Sequence, residues 1–199
     1  MARYFITPDE SFNVVCPFDI RDEENPQTLF LDPLTMHETL KAIPESRLEF
    51  QWIKFRRCTW GLDCYLRELA YSGSKSGMVQ DRQFSPERFD EARLRYLTME
   101  SSFFKLADMK VSFGQTEGYP TLSADCEALL KRLGPVTLGI FLKIAAQVWN
   151  YGVPPSDLLT AEDYLKIRAD KTALEQMIRR HDIPSLIEGK DAEKKEAKP

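Results

Sequence analysis

Residues 123–149 read SADCEALLKRLGPVTLGIFLKIAAQVW, and this stretch decides the predicted fold. Ser123 is a favourable N-cap for a helix over residues 124–133. Gly134 can adopt the left-handed conformation that ends a helix, and Pro135 prefers the first position of the next one. The sequence therefore predicts two helices that meet at a tight corner.

The second of these helices is apolar on nearly all sides. Between Val136 and Trp149 the only charged residue is Lys143. A helix of this kind is either buried within its own fold or covered by a partner, and the sequence leaves both alternatives open. If a partner covers it, the residues predicted to bind that partner are Leu138, Phe141, Leu142, Ala145 and Trp149.

A last helix is predicted from Thr160 to about His181, because Thr160 and Asp163 have the spacing of a capping pair. Its apolar stripe is thin, which is typical of loose docking or of a helix bound in a partner's groove. The partner-binding residues predicted on it are Leu174, Met177 and Ile178. Residues 188–199 contain four acidic residues and four lysines, and they are predicted to form a disordered tail.

Residues 1–31 are predicted to form a small strand element, because short apolar runs separated by prolines flank an acidic loop at 19–25. Residues 32–187 are predicted to form a helical domain, with a polar loop at 72–85 that lacks periodicity. The predicted fold class is therefore mainly α, a multi-helix domain with a small N-terminal β element.

Within the helical domain, apolar residues recur at spacings of three, four and seven between residues 45 and 71. This pattern predicts two helices with a bend near Gly61. Ser85 followed by Pro86 predicts the start of a long helix that continues toward Met109.

Aromatic and basic residues are interleaved in the first of these regions, around Trp52 and Trp60. Such a combination can stack on single-stranded nucleic acid. The favoured interpretation is that the aromatic side chains lie inside and the basic ones outside. The basic residues are Lys54, Arg56, Arg57 and Arg67.

Charge and hydrophobicity limit the classes of partner. The 199-residue chain has a net charge of −4, and residues 1–50 contain four basic against ten acidic residues. Nucleic acid is therefore not an expected partner, since phosphate binding needs a concentrated basic surface. The longest apolar run, Val136 to Trp149, is shorter than the about 20 residues that span a bilayer. No membrane segment is predicted.

No pattern of reactive residues predicts an enzyme or a cofactor site. The histidines, His37 and His181, are far apart in the sequence. The segment from Gly73 to Gly77 lacks the glycine spacing of a phosphate-binding loop. The four cysteines lack the spacing of a zinc site, and without a signal peptide they indicate a reduced, cytosolic protein. They are Cys16, Cys58, Cys64 and Cys126. We expect no catalytic residues, no metal and no cofactor.

The order of parts in the second half of the chain resembles a known family. The residues that carry the resemblance are Arg93, Tyr96 and Leu97, a run to Leu106, the extended Val111-Ser112-Phe113, a glycine loop, Tyr119-Pro120-Thr121-Leu122, then Leu129, Leu133, Pro135 and the apolar helix through Ile144. In this order the chain resembles the small tail assembly proteins of tailed bacteriophages, which are chaperones of the tape-measure protein. The likeness extends from about Phe12 to Tyr151.

This resemblance implies a non-enzymatic protein of the host cytoplasm. It implies that the protein binds the tape-measure protein, keeps the long hydrophobic helices of that client soluble and helps recruit tail-tube subunits. Self-association into a homo-oligomer is left open. The alternatives are a permanent part of the phage particle, such as a baseplate or neck protein, and a cytosolic adaptor of a bacterial host.

Overall fold

The computed structural model describes residues 10–21, 26–29, 31–33, 35–72 and 83–173. Its strands are β1 (Ser11–Asp19), β2 (Gln27–Thr28), β3 (Leu48–Arg56), β4 (Tyr71–Ser72), β5 (Gln83–Phe84), β6 (Thr98–Ser101), β7 (Phe113–Thr116) and β8 (Tyr119–Leu122). Its α-helices are α1 (Met36–Ala42), α2 (Trp60–Ala70), α3 (Pro86–Leu97), α4 (Ser102–Leu106), α5 (Ala124–Lys131), α6 (Gly134–Tyr151) and α7 (Ala161–Ala169). Short 3-10 turns occupy Glu45–Arg47 and Pro155–Asp157.

Four strands form an antiparallel sheet in the order β2-β1-β3-β6. β1 and β3 pair along nine positions, from Ser11 opposite Arg56 to Asp19 opposite Leu48. β1 pairs with β2, so strands do form in the predicted N-terminal strand element. Because β1 lies in the predicted N-terminal element and β3 in the predicted helical domain, these two parts of the chain share one sheet.

The fold is mixed α and β, so the prediction of a mainly helical protein with a minor β element is wrong. The decisive element is β3, which occupies residues where a helix was predicted. Ile53 and Phe55 face the main core, whereas Leu48 and Phe50 pack against a second cluster on the opposite face. A strand covered on both faces carries apolar residues on both, and this spacing imitates that of a helix.

The long helix predicted from Ser85 toward Met109 is also wrong beyond Leu97. The chain turns into β6, which pairs with β3, and then into the short helix α4. Ser101 ends the strand and caps α4, because its hydroxyl accepts a hydrogen bond from the Phe103 N–H at 3.2 Å. Because β6 pairs with β3, which is distant in sequence, no local pattern predicts that the helix ends at Leu97.

The helical corner predicted around Gly134 is confirmed. The Ser123 hydroxyl accepts the Cys126 N–H at 3.4 Å, and Gly134 has a φ of +80°. One face of α6 is buried against the sheet, with the Phe141 ring centre 6.5 Å from that of Phe18. The opposite face is exposed, and Val136 at its start is 76% exposed.

The other face of the sheet is partly covered by α1 and α7, whose core residues are Met36, Leu40, Tyr164 and Ile167. Tyr164 stacks on Phe50 at 6.0 Å between ring centres. The predicted capping pair of Thr160 and Asp163 is confirmed as a full capping box. The prediction of one continuous helix to about His181 is wrong, because α7 ends at Ala169 and Asp170 is extended. The part of that prediction beyond residue 173 lies outside the described residues, as does the predicted tail at 188–199.

A buried carboxylate joins the end of β1 to the turn before β3. Asp19 is 1% exposed and accepts hydrogen bonds from Arg21 at 2.7 Å and from Arg47 at 2.7 to 3.0 Å. The hydrogen bond from Arg21, with a further contribution from Arg47, holds the pKa of Asp19 below its usual value. The ionised carboxylate therefore stabilises this corner of the sheet.

Replacing Phe141 with alanine should lower the free energy of unfolding by about 3 to 5 kcal/mol, because a fully buried aromatic side chain is lost. The matched control on the same helix is Val136→Ala, which should change the free energy of unfolding by less than about 0.5 kcal/mol. Urea denaturation followed by circular dichroism measures both. Equal losses in the two variants would contradict the burial of one face of α6.

Asp19→Asn should destabilise the protein at neutral pH, because the asparagine carries no charge to pair with the two arginines. The native pKa of Asp19 is depressed, so its contribution is present above the unfolded pKa of about 3.9 and is lost as pH falls through the native pKa. Thermal unfolding from pH 7 to pH 3 should show the difference between wild type and variant shrinking below about pH 4. A difference that stays constant would argue against an ionised Asp19.

Candidate functional site

Three of the reactive side chains, His37, Cys16 and Cys58, have surroundings that suit structural roles. These residues contain no group of three histidine, cysteine or acidic side chains placed to hold a metal ion. The His37 ring donates from Nδ1 to the Ile167 carbonyl at 2.6 Å, which joins α1 to α7. Burial raises the pKa of Cys16, and burial followed by the nearby Asp63 raises that of Cys58 to about 12. Both thiols are therefore protonated at neutral pH and are weak nucleophiles.

The β7–β8 hairpin shapes one end of the molecule. Thr116 lies opposite Tyr119, so only Glu117 and Gly118 form the turn. Their φ angles of 50° and 84° are both positive, as in a type I′ turn. The glycine loop expected in this part of the sequence is a tight hairpin, and Tyr119 begins its second strand.

Three tyrosines from separate elements form one cluster beneath this hairpin. The Tyr119 ring stacks on that of Tyr65 with ring centres 5.3 Å apart. Tyr65 meets Tyr96 edge-on at 5.5 Å, and their hydroxyl oxygens are 3.1 Å apart. This hydrogen bond, together with burial, raises the pKa of Tyr65. The Tyr65 phenol therefore remains neutral, and the three packed rings form one aromatic wall.

A pocket of about 220 Å³ opens between this hairpin and the start of α2. We call it the Tyr119 pocket, and it is lined by Arg56, Arg57, Thr59, Leu62, Tyr96, Gly118, Tyr119 and Pro120. The Thr59 hydroxyl accepts the Leu62 N–H at 3.4 Å and so caps α2. Arg57 donates from Nη1 to Glu10 at 3.0 Å. The lining of the Tyr119 pocket therefore combines aromatic and aliphatic residues with two arginines.

Trp60 projects beside this pocket and is 83% exposed. It follows Thr59, which lines the pocket, and precedes Gly61, where an added methyl group would lie 4.0 Å from the Tyr119 hydroxyl. Exposed tryptophans are rare on soluble proteins and are enriched at the energetic centres of interfaces. The favoured interpretation that the aromatic residues of this region lie inside is therefore wrong for Trp60.

The end of α6 brings a second exposed aromatic residue to the same end of the sheet. Trp149 donates from Nε1 to the Arg56 carbonyl at 3.1 Å, which fixes α6 against the end of β3. Two residues later Tyr151 is 79% exposed. Trp60 lies four residues beyond Arg56, so both exposed rings belong to this end of the molecule.

A buried arginine holds this end of α6 in place. Arg93 is 5% exposed, and its Nη2 donates to Asn150 Oδ1 at 2.7 Å. Its guanidinium lies 4.0 Å from the centre of the Phe89 ring and 5.2 Å from that of Trp149. Since Tyr151 directly follows Asn150, the exposed ring is carried on a fixed turn. We call the Tyr119 pocket together with the neighbouring Trp60 the Trp60 surface.

The residues predicted on α6 to bind a partner lie in the main core. Leu138, Phe141, Leu142 and Ala145 are buried there, and Trp149 packs partly buried against it. The face of α6 that carries these residues is therefore buried within the protein's own fold and is not left for a partner to cover. The predicted residues of the last helix lie outside the described residues, and these are Leu174, Met177 and Ile178.

The sequence identified only part of the Trp60 surface, through the residue types in one region. Interleaving of aromatic and basic residues did mark Trp60, Arg56 and Arg57. No local signal connected them with Tyr96 or Tyr119, because these lie on α3 and on the hairpin and meet α2 only in the folded chain.

Comparisons with known proteins add no relative. No protein-family model matches the chain, and neither a curated protein nor a solved structure matches it. Within the described ranges, even α6, with 18 residues, lacks the combination of length and hydrophobicity required to cross a bilayer.

The exposure of Trp60 can be measured directly by fluorescence. Trp60→Phe should remove the emission that acrylamide quenches most strongly, because Trp52 and Trp149 are both partly buried. The matched control, Trp52→Phe, should leave most of the quenching slope unchanged. A slope unaffected by the loss of Trp60 would show that this side chain is shielded.

Proposed function

We propose that this protein is a non-enzymatic binding factor in phage tail assembly. It chaperones the tape-measure protein in the host cytoplasm and helps recruit tail-tube subunits. The assignment of this client rests on the resemblance of the chain to tail assembly proteins. The proposal that it acts by binding protein rests on a single structural observation, the 83% exposure of Trp60 beside a preformed pocket.

An exposed tryptophan on a fixed scaffold suits recognition of a protein client. Trp60 begins a helix capped by Thr59, and its neighbourhood is held by the tyrosine cluster. Large aromatic side chains bury much apolar area at small entropic cost, so one such residue can dominate binding. The long hydrophobic helices of a tape-measure protein would supply the complementary surface.

Co-expression with the tape-measure protein of the same phage tests this proposal. The wild type should keep the client in the soluble fraction and copurify with it. Trp60→Ala should weaken binding by about 2 kcal/mol or more, which corresponds to roughly 30-fold in affinity. The matched control is Leu106→Ala, which removes an exposed apolar side chain of α4 and should leave binding unchanged.

Both variants should retain the wild-type unfolding midpoint, because exposed side chains contribute little to stability. Client solubility that does not depend on the wild-type protein would refute the chaperone proposal. Retention of the protein in purified particles would instead favour a permanent virion component.

A further inference from the structure

We propose that the Tyr119 pocket binds one apolar side chain of the client, from a segment that carries an acidic residue within one helical turn of that anchor. This inference rests on the proposed function, because it assigns part of the Trp60 surface to a recognised motif. It names the chemistry of the segment, which the exposure of Trp60 alone does not.

The size of the pocket suits a side chain better than a metabolite. Its volume of about 220 Å³ is below the roughly 300 to 1,000 Å³ that small-molecule sites usually enclose. Interfaces commonly place one anchor residue in a pocket of this kind beside exposed aromatic residues. The neighbouring Trp60 would cover the backbone of the bound segment.

Two polar groups of the walls already have hydrogen-bond partners within the protein. The Tyr96 hydroxyl bonds to that of Tyr65, and the Thr59 hydroxyl accepts the Leu62 N–H. Leu62 and Pro120 supply aliphatic surface, and Tyr119 supplies its ring. The anchor would therefore be leucine, isoleucine, methionine or phenylalanine.

Charge selects the residue beside the anchor. The lining includes Arg56 and Arg57 and contains no acidic residue. Arg57 is paired with Glu10 at 3.0 Å, and both side chains are partly exposed, so an incoming carboxylate can join this pair from the solvent side. Glu117 lies in the hairpin turn near Tyr65 and opposes this attraction in part. An acidic neighbour is therefore favoured over a basic one.

A second and wider depression of about 530 Å³ has no such character. Its lining includes the acidic Asp19 beside Arg21 and Arg47, and Asp19 is bonded to both arginines, whereas no acidic residue lines the Tyr119 pocket. Of the two depressions, the Tyr119 pocket is therefore the better candidate for selecting an acidic neighbour of the anchor.

The test is selection of random twelve-residue peptides on the full-length protein, followed by affinity measurement with fluorescently labelled peptides. Enriched sequences should share an apolar residue with aspartate or glutamate within four positions. Tyr119→Leu should weaken their binding at least about 10-fold, because the pocket loses its aromatic wall. The matched control in the same hairpin is Phe113→Ala, which changes an exposed residue outside the pocket and should have no effect.

The charge requirement has its own test. Arg57→Glu should weaken the acidic peptides about 10-fold, and replacing the peptide acid with lysine should restore most of the loss. If circular dichroism shows that Tyr119→Leu is unfolded, the combination of Arg57→Glu with the lysine peptide still tests whether the pocket binds the selected peptides. Selection that yields no such motif, or peptides that bind Arg57→Glu as well as wild type, would overturn the proposal.

Failure of this inference is distinguishable from failure of the proposed function. If client solubility survives Arg57→Glu and Tyr119→Leu but is lost with Trp60→Ala, the pocket assignment is wrong and the chaperone proposal stands. If client solubility never depends on the wild-type protein, the chaperone proposal fails regardless of what peptides bind.

Discussion

Nine opposed residue pairs join β1 to β3, and the alternation of side chains along them assigns each covering helix to one face of the sheet. Phe12, Val14 and Phe18 of β1 point into the main core beneath α6. Val15 points the other way, toward α1 and α7. A shift of one residue in this register would exchange the two sets, so the placement of every described layer depends on it.

The same pairing determines which end of the molecule is available to partners. β3 ends at Arg56, whose carbonyl holds Trp149, and the chain then turns through Thr59 into α2. Trp60 thus emerges at the end of the sheet rather than over its buried face. The hairpin closes over Tyr65 at this end and completes the Tyr119 pocket. The proposed binding surface is therefore a consequence of where the central strands stop.

Local chemistry predicted several features of this fold, and long-range pairing explains the rest. The N-caps at Ser85, Ser123 and Thr160 and the stop at Gly134 depend on neighbouring residues, and all were predicted. β3 was misassigned because both of its faces are covered, which hides the period of two. The candidate site was mostly hidden too, since its tyrosines are brought together by contacts between distant segments. The role in phage tail assembly stays a prediction.

Nuclear magnetic resonance of the backbone tests the central pairing most directly. The Glu10 carbonyl accepts the Arg57 N–H at 2.7 Å, so Glu10 and Arg57 form a hydrogen-bonded pair of the antiparallel ladder. Because hydrogen-bonded and non-hydrogen-bonded pairs alternate, Val15 and Trp52 form a non-hydrogen-bonded pair, with α carbons about 4.5 Å apart. A strong cross-peak is expected between the Hα protons of Val15 and Trp52. Its absence, together with helical contacts between residues three apart in 48–56, would show that β1 and β3 are not paired in this register.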